Sequence, residues 1–331
     1  MKVLVATKDP DVLTTVREHP DAEPVPALGT GNIYKAIPEV QLAVVDYADL
    51  FPRPFSIELI RKLLEESGIP QYSSDEFMAS VQSLLASRTP KGRTLPLLPQ
   101  QVITFTSYSG GTGKTSLALD TAYRFVERTR NAWIELPAAV LEFTYGGSAL
   151  GALVGEGQPT IDELVEQPER EPFRLNGFTL YPMQYDRLDL SARERIIEYL
   201  RRQMSHHVLN IIDTSWPHGL VSDLGAEIDL WVILSTPRID AIENAQHLRD
   251  ELAAQYGAER VLVAVNQMGG LSDKLAVMGS GYEIELSKVK QSGVFFEGKL
   301  GKEILTRVYG DAWQEYERAR RRGRGLFKRR S

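Results

Sequence analysis

The stretch that decides the fold is Val102-Ile-Thr-Phe-Thr-Ser-Tyr108-Ser109-Gly110-Gly111-Thr112-Gly113-Lys114-Thr115-Ser116. It reads as an apolar strand, a glycine-rich turn and the start of an amphipathic helix over Thr115–Arg130. Glycine permits the unusual backbone angles that let successive N–H groups converge on phosphate oxygens. The helix start adds the positive end of its dipole. Gly110, Gly111, Thr112, Gly113 and Ser116 are therefore candidate phosphate contacts. Lys114 is placed to reach the β- and γ-phosphates, and Thr115 to ligate Mg²⁺ through its hydroxyl. Tyr108 stands where the usual pattern has its first glycine. A glycine-rich turn without a ligand is the alternative, and the strand before and Gly-Lys-Thr at the helix start weigh against it.

Working outward, strand-like runs recur at Ala132–Leu136, Val208–Asp213, Leu230–Ser235 and Arg260–Asn266, with amphipathic helices at Ala192–Ser205 and Ile239–Tyr256. Continuous apolar strands alternating with helices predict an α/β fold, a parallel sheet with helices on both faces. Asp213 ends a strand about a hundred residues after the loop and suits a Walker B acid holding the metal's water shell; capping of the next turn is the alternative. Residues 1–88 predict a smaller flavodoxin-like α/β domain, with strands at Lys2–Thr7 and Gln41–Tyr47 and helices at Asp9–Glu18, Phe55–Glu66 and Ser74–Leu85. A proline-rich linker at 89–100 separates it from the domain at 101–310, and 311–331 reads as a basic tail.

The 331 residues are 43% hydrophobic and 25% charged, an ordinary globular composition, and the net charge of −6 excludes a chain basic throughout. The absence of cysteine removes disulfides, thiolate metal sites and cysteine nucleophiles. None of the five histidines has metal-ligand spacing, and the His206-His207 pair reads as a helix end. With no signal peptide and no apolar run of spanning length, a cytosolic protein is expected, peripheral at the inner face of the cell membrane if its tail binds lipid.

Together these residues resemble the MinD/ParA-type ATPases with a deviant Walker A loop. Gly110–Thr115 matches that loop, with Ser109 where the family has its signature lysine. Ile211-Ile212-Asp213-Thr214 is similar to the Walker B and switch II start, and Leu234-Ser235-Thr236-Pro237 with Ile239–Ala245 to the strand and helix that follow. Val263-Ala264-Val265-Asn266 resembles the strand whose terminal Asn contacts adenine. The resemblance implies ATP with Mg²⁺ and a homodimer, and no guanine-reading motif follows Val265. The family's Asp-x-Asp, whose second acid orients the attacking water, falls on Glu135-Leu136-Pro137, with Glu142 as the substitute if the register shifts. Without a signature lysine or a second acid, very slow hydrolysis or none is expected.

An N-terminal receiver-like domain on such an ATPase resembles the TadZ/CpaE group, which implies a localisation or assembly factor of a type IV (Tad) pilus with secretion components as partners. The alternative is partitioning of DNA or positioning of the division or flagellar machinery; a small-molecule kinase or synthetase is a third reading, for which no substrate constellation is visible. Asp46 stands at the receiver's phosphoacceptor place, but only Asp9 represents the acidic pair, so a docking pseudo-receiver is expected. The eight Lys/Arg of 318–330 around Leu326-Phe327 fit an anionic membrane surface; DNA phosphates or a solvated, partner-docking terminus are the alternatives.

Overall fold

The computed structural model describes residues 1–86, 97–130, 135–145, 147–155, 158–183, 193–269, 271–287 and 299–327. Most of the expected linker, Trp133-Ile134 and the side chains of 318–330 lie outside the described residues. The chain forms two compact units: Met1–Pro99 with the residues from Asp311 on, and Gln100–Arg130 with Glu135–Gly310.

In the first unit the order is β1 (Lys2–Ala6), α1 (Pro10–Glu18), β2 (Glu23–Pro26), α2 (Thr30–Ala36), β3 (Leu42–Val45), α3 (Ile57–Glu66), β4 (Gln71–Tyr72) and α4 (Ser74–Ala86). Its four strands are parallel in the order β2-β1-β3-β4, the first four of a doubly wound flavodoxin-like sheet. Val3, Val5, Leu42 and Val44 pack with Val12, Val16 and Phe77 as its core. Asp9 caps α1 by accepting the Asp11 N–H. Asp46, just beyond β3, accepts the Ser74 N–H at 3.1 Å and the Ser74 hydroxyl at the start of α4. Burial opposes the Asp46 charge, but the bonds from Ser74 and Thr7 outweigh it and hold the carboxyl below the ordinary aspartate value.

In the second unit the chain runs β5 (Gln101–Thr106), α5 (Lys114–Thr129), β6 (Ala138–Phe143), α6 (Ala149–Val154), α7 (Ile161–Glu166), β7 (Phe173–Leu175), β8 (Phe178–Tyr181), α8 (Arg193–Met204) and β9 (Leu209–Thr214). It continues through α9 (Gly219–Asp223), β10 (Leu230–Ser235), α10 (Ile239–Tyr256), β11 (Val261–Met268), α11 (Leu271–Ala276), β12 (Ile284–Ser287) and, up to Gly310, α12 (Lys299–Phe327). The sheet order is β12-β11-β10-β5-β9-β6-β8-β7, parallel except for β7, and helices cover both faces. β5 is therefore central, and its carboxyl end lies where the chain turns to either side, the usual place for a ligand in such sheets.

Two expectations are corrected. Of the strand expected at Ala132–Leu136, 132–134 lie outside the described residues and Glu135-Leu136 is not strand; the run that is buried throughout and pairs with β9, from Ala138↔Leu209 to Phe143↔Thr214, is Ala138–Phe143. The segment expected as a tail from 311 continues α12, which is interrupted only at Gly310, and Trp313 and Tyr316 are buried with rings stacked 6.5 Å apart. Among the described residues no helix is long and apolar enough to cross a membrane.

Helix α12 meets α5 backbone to backbone at Gly301, whose N–H donates to Asp120 Oδ2 at 2.7 Å, while Tyr309 stacks on Phe125. A Cβ on Gly301 would come within 2.6 Å of Thr121 Cα. Gly301→Ala should therefore lower stability by about 1–3 kcal/mol, read as a shifted urea midpoint.

His207, just past α8, is buried between the Gln203 carbonyl (2.9 Å) and the Thr179 hydroxyl (3.2 Å), and burial pushes its pKa down to about 4. Unfolded, the imidazole titrates near 6.5, so between these values the unfolded chain binds the proton and stability falls as pH falls. Burial pushes Asp213 up to about 6, so it acts with the opposite sign. Urea titrations from pH 7 to 4 should show His207→Gln flattening the acid loss by up to about 3 kcal/mol, and Asp213→Asn steepening it.

Candidate nucleotide site

The glycine-rich loop joins β5 to α5, and Gly113 at the helix cap has φ 90° and ψ 20°, a left-handed conformation that side chains avoid. Gly111 also has positive φ, and a Cβ on Gly110 or Gly111 would meet nothing within 4 Å, so the space beside them is open. Ser109, Gly110 and Gly111 are exposed, Thr112 and Lys114 buried, and Ser116 half-buried in the first turn of α5.

Lys114 is 8% exposed and folds back on its own loop, donating to Ser107 Oγ at 3.0 Å and to the Ser109 carbonyl at 3.2 Å. Ser107 Oγ in turn lies 3.1 Å from Thr112 Oγ1. Ser107 is a site residue the sequence reading missed, since a serine closing a strand carries no signal of its own. Burial pushes the Lys114 pKa down, partly offset by the Asp213 charge.

Asp213, near the end of β9 next to β5, is fully buried. Its Oδ2 accepts the Thr115 hydroxyl at 2.5 Å, and its Oδ1 is buried with no hydrogen-bond partner among the described residues. An uncompensated buried carboxylate oxygen is costly. An oxygen-only pair of hydroxyl and carboxylate at the mouth of a phosphate loop is a donor set that suits Mg²⁺, so the residues fit the metal. The sequence placed Thr115 and Asp213 in this role, and the structure brings them together across 98 positions. Among the described residues no group of three or more His, Asp or Glu side chains is arranged to hold a metal ion by itself.

Asn266, in β11, donates to the Thr112 carbonyl at 2.9 Å and accepts the Gln267 N–H at 2.8 Å. The side chain expected to face a base thus braces the loop in this structure.

The corrected strand also moves the acids. Glu142, not Glu135, is the partner of Asp213 in register. It is fully buried, and its oxygens accept from the Ser148 hydroxyl and from the N–H groups of Ala149 (2.7 Å), Leu150 (3.2 Å) and Met183 (3.4 Å). Glu142 thus closes the start of α6, and burial pushes its pKa up despite those bonds. Two residues on, Thr144 has a buried hydroxyl without a partner among the described residues.

A methyl group at position 113 would run into Asn266 Nδ2 as well as straining the backbone. Gly113→Ala should weaken binding of Mg²⁺ with a non-hydrolysable ATP analogue about tenfold or more, given a left-handed penalty of 1–2 kcal/mol plus the collision. Adding Asn266→Ala should recover only the collision's share in calorimetric titration.

No protein-family model matches the chain, and no curated protein matches it. Among solved structures it is similar to a ParA family ATPase from Chlorobium tepidum TLS, at 13% identity and TM-score 0.48, covering 67% of this chain and 98% of that one. It is also similar to the cell division ATPase MinD of Pyrococcus furiosus, at 15% identity and TM-score 0.48, covering 62% and 98%. A third is cobyrinic acid a,c-diamide synthase from Mycobacterium smegmatis, with bound ATP analog and magnesium, at 14% identity and TM-score 0.48, covering 62% and 95%.

Proposed function

We propose that the chain is an ATP- and Mg²⁺-binding protein of the ParA/MinD kind that positions another assembly and works through occupancy of its site rather than through turnover. The observation that carries the reading is the pairing of Thr115 with Asp213 beside the buried Lys114, with one Asp213 oxygen lacking a partner among the described residues. Bound at this site, Mg²⁺ would supply positive charge to neutralise the phosphates. Lys114 would hold the phosphates in place of Ser107 and Ser109, Thr115 and Asp213 would hold the metal, and the loop N–H groups would orient the phosphates.

Slow turnover follows from what stands around the loop. Ser109 offers no cation where the family has its signature lysine. With the strand at Ala138–Phe143, the family's Asp-x-Asp falls on Glu142-Phe143-Thr144. Glu142 is committed to Ser148, Ala149, Leu150 and Met183, and a threonine hydroxyl is too weak a base to take a proton from water at neutral pH.

Homodimerisation with the phosphates near the subunit interface is the arrangement the resemblance favours. Positioning of DNA or of the division or flagellar machinery is the setting that the resemblance of the loop and Walker B segment carries by itself. Assembly of a Tad-type pilus is the second setting, favoured by the N-terminal unit: a β2-β1-β3-β4 sheet whose Asp46 is engaged by Ser74, as a docking pseudo-receiver would have it. A membrane surface met by 318–330 belongs to either setting.

Calorimetry should show Mg²⁺-dependent ATP binding that Lys114→Ala abolishes. Steady-state phosphate release should be near background in the wild type and rise by about 10²-fold in Thr144→Asp, the gain expected of a positioned base. A wild-type rate of several turnovers per minute, lost in Lys114→Ala, would refute the occupancy mechanism.

A further inference from the structure

Tyr108, in the place of the missing first glycine, is not a passive substitution. It is 43% exposed, yet its phenol is held at 2.5 Å by Glu251 Oε2 on α10, and that bond pushes its pKa up to about 12. The other Glu251 oxygen accepts the Trp216 indole N–H at 3.0 Å. Trp216 lies three residues past Asp213, is buried, and sends its own backbone N–H to the Ser107 carbonyl at 3.2 Å. Its ring stands edge-on to Trp231 at 5.5 Å, and Trp231 stacks on Tyr256 of α10 at 4.9 Å.

One carboxylate therefore grips both the first residue of the phosphate loop and the segment that follows the metal-site aspartate. The sheet does not require either bond, since β5 and β9 are already paired along their length. A ligand that takes Lys114, however, draws it from Ser107 and Ser109, on either side of Tyr108. Ser107 meets Lys114 through its hydroxyl and Trp216 through its carbonyl, and Tyr108 beside it reaches Glu251, so the contacts of Lys114 adjoin both bonds of that carboxylate.

We infer that Glu251 is a positioning residue that couples filling of the phosphate loop to the segment after Asp213, through the Tyr108 phenol and the Trp216 indole. The inference rests on the nucleotide-binding reading above. It makes Trp216 an internal reporter of the loop and gives the exposed tyrosine a use that a glycine would not have.

The test is a titration of the full-length chain with Mg²⁺ and the non-hydrolysable analogue AMP-PNP, followed by calorimetry and by tryptophan fluorescence. The wild type should give a fluorescence change that Trp216→Phe removes. Glu251→Ala should lose the change and bind about tenfold more weakly, the equivalent of two hydrogen bonds to a charged group partly replaced by water. Tyr108→Phe, at an exposed side chain that leaves folding intact, should bind about threefold more weakly with a reduced change. Glu251→Gln, which keeps an acceptor for the indole, should restore most of the change. Wild-type affinity and an unaltered fluorescence change in Glu251→Ala, or in Tyr108→Phe should Glu251→Ala fail to fold, overturn the inference while leaving the nucleotide reading intact. No binding to the wild type overturns both.

Discussion

The site depends on two opposite buried charges, Lys114 at the start of α5 and Asp213 near the end of β9, that form no direct ion pair among the described residues. Lys114 is satisfied by its own loop, and Asp213 by the Thr115 hydroxyl on one oxygen only. Burial weakens both charged forms, drawing the Lys114 pKa down and lifting that of Asp213 to about 6. Such an arrangement is a poor source of stability, since desolvation of each ion offsets most of their attraction. It is well suited to a ligand that brings its own charges of both signs, as a metal–phosphate complex does.

The rest of the second unit keeps those charges in place. β5 is held between β9 and β10, so the loop leaves a rigid strand end, and Asn266 of β11 fastens the Thr112 carbonyl from the other side. Helix α5 is in turn fixed along its length by Gly301 and Tyr309 of α12. Rigid support on both flanks lets a short loop carry a geometry that an isolated peptide would not hold.

The chemistry of turnover depends on something different, a base with a lone pair free to face water. Glu142 has the right charge and stands in register with Asp213, but four donors occupy its oxygens. A carboxylate whose oxygens cap a helix is stabilising there and has those lone pairs already engaged. The first unit repeats the pattern, with Asp46 at a strand end engaged by the start of α4. In both units, an acid at or near a strand end serves local structure by accepting from the start of a helix.

Much was legible in the sequence where chemistry and periodicity coincide. The loop from Gly110 to Thr115, the aspartate at the end of an apolar strand, and the helix Ile239–Tyr256 were readable because glycine, lysine and apolar spacing each carry a local physical signal. The position of β6 was not, because the apolar run from Ala138 to Phe143 is no more strand-like by composition than the run before it. Only pairing with β9 decides between them, and that choice brings Glu142 beside Asp213. Nor could spacing show that Ser107 holds Lys114, that Asn266 braces the loop, or that Glu251 joins Tyr108 to Trp216 across 143 and 35 positions. Residue types and local periodicity determined that a glycine-rich loop joins a strand to a helix and which donors it carries. Which side chains are free to act there was decided by tertiary contacts, because a donor or acceptor already bonded to a distant neighbour is no longer available for chemistry.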